Sequence, residues 1–80
     1  MNTREKVSDI MREVKPVKDL EDVLDIVEGG YIDSFELMSL ITILCEEFQI
    51  EISIDDITPE NFNSLDAIAN MVDRLTGKKD

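Results

Sequence analysis

Ser34 is a hydroxyl placed for modification rather than for catalysis. It follows Gly29-Gly30-Tyr31-Ile32-Asp33 and opens an apolar periodicity that runs from Phe35 to Phe48. A serine nucleophile needs a general base and an oxyanion site. The chain has no histidine, so the usual base is missing and no catalytic residue is assigned. The first turn of a helix offers free backbone N–H groups and the positive end of the helix dipole, and both stabilise a phosphate attached there. If Ser34 takes a phosphodiester-linked group, a modifying enzyme and its metal would activate the hydroxyl. Read alone, Asp33 is a helix cap and Ser34 an ordinary first-turn residue.

Other chemistries find little support. Cys45 is the only cysteine, which excludes an internal disulfide framework and a multi-cysteine metal site. It lies at the edge of an apolar stripe and reads as a small core residue. Asp55-Asp56 and the remaining acids do not follow a calcium-loop pattern, and no Gly-rich phosphate loop is present. No metal ligand is assigned.

The 80 residues suit one small domain, 1–80, and an apolar content of 42% is enough for a core. All eight basic residues lie near the ends: Arg4, Lys6, Arg12, Lys15, Lys18, Arg74, Lys78 and Lys79. Residues 19–73 hold fifteen Asp or Glu and no Lys or Arg. Such a field repels nucleic acid and anionic lipid and attracts basic protein surfaces. No signal-peptide or membrane-spanning pattern is read, so a cytoplasmic monomer without membrane insertion is expected.

The elements that must position Ser34 follow from caps and periodicity. Asn2-Thr3-Arg4-Glu5 has capping-box spacing, and Val7, Ile10, Met11 and Val14 form a helical stripe. Pro16 disfavours helix at Lys15, so the first helix should stop near Val14. Residues 15–33 form a long connection in which Leu20, Val23, Leu24 and Val27 are expected to make a short helical turn over the core, ended by Gly29-Gly30. Asp33 and Glu36 have the spacing of a capping box for the second helix. Leu37, Leu40, Ile41, Leu44 and Phe48 form its inward face, while Phe35, Ser39, Thr42 and Glu46 point away, with Met38 at the edge. Ile43 is not assigned to either face. Ile50-Glu51-Ile52-Ser53-Ile54 alternates without a partner strand and reads as an extended loop pinned by its isoleucines. Thr58 and Pro59 start a short third helix through about Phe62. Ser64 caps a fourth, with Leu65, Ile68, Ala69, Val72 and Leu75 inward and Gly77 as its stop. The expected fold is a small all-α four-helix bundle with a long loop between the first and second helices and a short third helix.

Gly30-Tyr31-Ile32-Asp33-Ser34-Phe35-Glu36-Leu37 resembles the prosthetic-group attachment motif of the acyl carrier protein family. Leu44-Cys45-Glu46-Glu47-Phe48, Ile52, Thr58-Pro59-Glu60-Asn61-Phe62 and Ser64-Leu65-Asp66-Ala67-Ile68 resemble that family in type and spacing, over roughly residues 24–75. The resemblance implies that Ser34 receives 4'-phosphopantetheine from coenzyme A through a phosphopantetheinyl transferase. An acyl or aminoacyl group would then ride as a thioester on the prosthetic thiol, not on Cys45. It implies that Asp33 is the acidic residue before the attachment serine. Phe35, Glu36, Met38, Glu46 and Glu47 would face partner enzymes with basic docking surfaces that load and transfer the group. The implied pathways are fatty acid, polyketide or specialised acyl synthesis. Phe35 stands where many fatty-acid carriers have Leu, Ser39 where they often have a carboxylate, and Tyr31-Ile32 where they have one residue. In these points the chain is more similar to D-alanyl, aminoacyl and specialised-pathway carriers. An acidic helical adaptor without a prosthetic group is the alternative of a different class.

Overall fold

The computed structural model describes residues 2–16 and 19–77, so Lys18, Lys78 and Lys79 lie outside the described residues. Helix α1 spans Thr3–Val14, and its start is set by the Asn2 side chain, which accepts from the Glu5 amide. Helix α2 spans Ser34–Phe48, α3 spans Pro59–Phe62 and α4 spans Leu65–Thr76. Thr58 and Ser64 cap α3 and α4 through their hydroxyls, and Gly77 ends α4. Each of these helix starts lies where a short polar side chain can satisfy amides that the first helical turn leaves open. There is no strand among the described residues, and the all-α bundle has the expected long connection and short third helix.

The core is built from one face of each helix. Helix α1 lies against both α2 and α4, α3 packs on α4, and α2 also touches α4. Val7, Ile26, Leu40, Leu44, Phe62, Leu65, Ile68, Met71 and Val72 are sealed from solvent. Leu37, Phe48, Val14, Leu75 and Cys45 are half-buried against this cluster, as edge positions of their stripes should be. Met71 joins the core although it was outside the expected inward set; it follows Ile68 by three residues and so shares its side of α4. Ile43 is half-buried and lines a groove with Lys6, Asp9, Ile10, Glu13 and Glu47, which places it on the side of α2 that faces α1.

Two expectations are corrected. Leu24 does not cover the core but is 78% exposed, and Ile26 is the residue that anchors the connection. The segment folds as successive turns, with Val23 N–H on the Leu20 carbonyl and Gly29 N–H on that of Asp25, while the amides of residues 26–28 bond across the molecule. Ile26 N–H donates to the Asn63 carbonyl (2.9 Å), and those of Val27 and Glu28 donate to Asn63 Oδ1 (2.9 and 3.1 Å). The alternating isoleucines also part company: Ile50 is buried and Ile52 half-buried, but Ile54 is 83% exposed. It opens a 3-10 turn, Ile54–Asp56, in which the Asp56 carboxylate accepts from the Ser53 N–H and hydroxyl and bends the chain outward.

The basic residues of the ends fold back onto the acidic stretch. Arg4 bridges Glu21 of the connection (3.0 Å) and Asp66 of α4, while Arg12 reaches Asp9 and Glu21. Glu21 also accepts from the buried Ser8 hydroxyl. That hydroxyl, aided by Arg4, holds the Glu21 carboxyl below the ordinary glutamate value. Asp66 first, and then Glu21, raise the affinity of Arg4 for its proton.

A depressed carboxyl binds protons less readily folded than unfolded, so its stabilisation is complete above the ordinary value of about 4.3 and is lost as pH falls through the lower folded value. The thermal midpoint of the wild type should therefore fall with acidification below about pH 5 more steeply than that of Glu21→Gln. Parallel midpoint-against-pH curves would show that Glu21 carries no such linkage.

Candidate functional site

Three side chains fix the start of α2. Asp33, in extended conformation, accepts the Glu36 amide on Oδ1 (2.8 Å), and Glu36 Oε1 accepts the Asp33 amide (3.0 Å). The predicted capping box is thus formed in both directions. Lys15, just past the end of α1, donates to both oxygens of Glu36 at 3.2 and 2.9 Å. The Asp33 carbonyl accepts from Leu37 N–H. Of the four amides that open the helix, those of Glu36 and Leu37 are satisfied by Asp33. Those of Ser34 and Phe35 donate to no protein group among the described residues.

The approach to this corner is made by two glycines. Gly29 N–H reaches the Asp25 carbonyl at 2.6 Å, and a Cβ on Gly29 would lie 2.7 Å from that oxygen and from the Asp25 carboxylate. Gly30 has φ +76, a left-handed conformation that glycine adopts without a Cβ penalty. Together they turn the chain so that Ile32 is buried, while Asp33 and Ser34 emerge at the surface.

Ser34 is exposed at the first position of α2. It borders an open recess of ≈ 390 Å³ lined by Val27, Ile32, Asp33, Ser34, Leu37 and Met38. Beside it stand Phe35 and Met38, exposed by 79% and 55%. The site therefore offers a free hydroxyl, two open amides at the positive end of a helix, and apolar surface within reach. The carboxylates nearest in sequence, Asp33 and Glu36, accept helix amides, and Glu36 is also paired with Lys15. Among the described residues there is no grouping of three potential metal ligands. No helix among them is long and apolar enough to cross a membrane.

A family model described as "Phosphopantetheine attachment site" matches residues 4–72. The chain belongs to that family. No curated protein matches it in a separate comparison. Members of the phosphopantetheine attachment-site family are carriers rather than catalysts, and the bundle here is of the acyl-carrier type. The prosthetic group of the family is covalent 4'-phosphopantetheine. The residues present fit such a group: the open amides of Ser34 and Phe35 suit the phosphodiester, and the recess beside Val27, Ile32 and Met38 suits the uncharged arm.

The expected site residues divide in space. Asp33, Ser34, Phe35, Glu36 and Met38 are brought together around the first turn of α2. Glu46 and Glu47 are exposed on the last turns of the same helix. Lys15 and Asn63 also belong to the site's framework and were not expected there. Lys15 holds Glu36 and Asn63 holds the turn containing Val27, and both act across sequence gaps that no local pattern reveals.

The cap gives a direct expectation. Asp33→Ala should lower unfolding stability by about 1 kcal/mol in denaturant titration, while Asp33→Asn should retain most of it. Equal losses in the two variants would show that the charge of Asp33, not its capping bond, is what matters.

Proposed function

We propose that Ser34 is the attachment residue and that the protein carries acyl or aminoacyl groups as thioesters between partner enzymes. The observation that carries this reading is the exposed Ser34 hydroxyl at the capped start of α2, with two amides open beside it and inside the matched span. A phosphopantetheinyl transferase with a divalent metal would join Ser34 Oγ to the phosphorus of coenzyme A's phosphopantetheine and release adenosine 3',5'-bisphosphate. The attached group supplies a thiol on a long arm, and the bonds made and broken later belong to that thiol and to the partners' catalytic groups.

The chain's own residues orient and present. Asp33 holds the first turn, so that Ser34 stands at a fixed helix end. Phe35 and Met38 supply apolar contact next to the arm, and Glu46 contributes negative charge for basic partners. Phe35, Ser39 and the Gly30-Tyr31-Ile32-Asp33 spacing favour a D-alanyl, aminoacyl or specialised acyl cargo over the common fatty-acid series.

Incubation with coenzyme A, Mg²⁺ and a broad-specificity phosphopantetheinyl transferase should add one prosthetic group by intact mass, and Ser34→Ala should take none. No addition to the wild type, or equal addition to Ser34→Ala, would contradict the assignment and leave an acidic adaptor as the better reading.

A further inference from the structure

The acidic residues of α2 do not form one surface. At about 100° per residue, Phe35, Met38, Thr42 and Glu46 fall within roughly 80° of one another, on the side opposite Leu40 and Leu44. All four are exposed. Glu36 and Glu47 lie about a third of a turn or more from the centre of that stripe, toward α1. The structure agrees: Glu36 is bonded to Lys15 of the α1 end, and Glu47 lines the groove with Lys6, Asp9, Ile10 and Glu13 of α1. The Lys15–Glu36 pair is also well covered, with side chains only 25% and 22% exposed. Both Glu36 oxygens are engaged by Lys15, and one of them also accepts the Asp33 amide.

We infer that Lys15 is a specificity-determining residue: it acts as an internal counter-ion that removes Glu36 from the surface read by partners. The docking stripe of this carrier is then apolar at the Ser34 end, through Phe35 and Met38, and negative about 17 Å further along the axis, at Glu46. The partner that fits has an apolar socket beside its active-site entrance and a cationic group about three helical turns away, with no cation required for Glu36. A partner built to grip the Glu36 carboxylate would have to displace Lys15 first, whereas Asp33 stays exposed beside Ser34. The inference rests on Ser34 as the attachment site and adds the kind of partner surface that site accepts.

The test is the salt dependence of KM for prosthetic-group transfer by the same transferase, with coenzyme A and Mg²⁺, on four variants whose folding is checked by helical circular dichroism. Glu46→Gln should raise KM by about threefold or more at low ionic strength and flatten its rise with salt. Glu36→Gln should leave both within about twofold of wild type, because its amide oxygen can still accept from Asp33 N–H. Lys15→Gln should lower KM and steepen the salt dependence by freeing a carboxylate beside Ser34. In a Glu36→Gln background the Lys15→Gln change should have no effect, which separates unmasking of Glu36 from the overall change in charge. A structural role for Lys15 alone would lower the thermal midpoint without altering the salt dependence. A Glu36→Gln effect as large as that of Glu46→Gln, or a Lys15→Gln variant with wild-type salt dependence, would overturn the inference. If the wild type takes no group, or Ser34→Ala takes it equally, the reading of Ser34 itself has failed, whatever Lys15 does.

Discussion

The reciprocal bonds between Asp33 and Glu36 are the constraint on which the rest of the site depends. They determine where α2 begins, and that determines which residue stands at its first position with its hydroxyl free. They also determine which amides remain open: Asp33 takes those of Glu36 and Leu37 and leaves those of Ser34 and Phe35. A start shifted by one residue would turn every side chain of α2 by about 100° and move Leu40 and Leu44 out of the core. The buried face of α2 and the cap therefore specify the same register, the kind of agreement between local and tertiary preference that favours a single structure. Lys15 adds a tertiary tie to that local motif, so the end of α1 and the start of α2 meet at one carboxylate.

Charge in this protein has a different meaning in sequence and in space. Along the chain, residues 19–73 carry acids without a single base. In the folded molecule Arg4, Arg12 and Lys15 reach back from the N-terminal segment to Glu21, Asp66 and Glu36, and Arg74 hydrogen-bonds Asn61. Most of these pairs are exposed enough that each contributes little to stability by itself. Their larger consequence is positional. They pair Glu21, Asp66 and Glu36 and leave Glu46 exposed on the outward stripe of α2, so the negative charge along that helix is narrower than its sequence suggests.

Helix boundaries were legible because they depend on residues within four positions of each other. Asn2, Asp33, Thr58-Pro59, Ser64 and Gly77 each announce an end, and each end lies where its chemistry places it. Ser34 was legible for the same reason, as the residue after a cap at the head of an amphipathic run. What could not be read depends on distant partners. Ile26 rather than Leu24 anchors the connection because Asn63, far along the chain, takes the amides of residues 26–28. Ile54 is exposed because a local turn closed by Asp56 overrides the alternation that Ile50 and Ile52 begin. The Lys15–Glu36 pair spans a connection whose path the sequence does not state, so Glu36 could be recognised as part of a cap but not as a residue held by α1.

Taken together, these features describe a site that is complete before its prosthetic group arrives. Comparison of backbone amide chemical shifts before and after attachment of phosphopantetheine tests that account most directly. Changes should be confined to the Ser34–Leu37 turn and the recess around Val27, Ile32 and Met38, with the core amides of α1 and α4 unmoved. Shift changes spread through those core helices, or Glu36 and Leu37 amides that become protected from hydrogen exchange only after attachment, would contradict it.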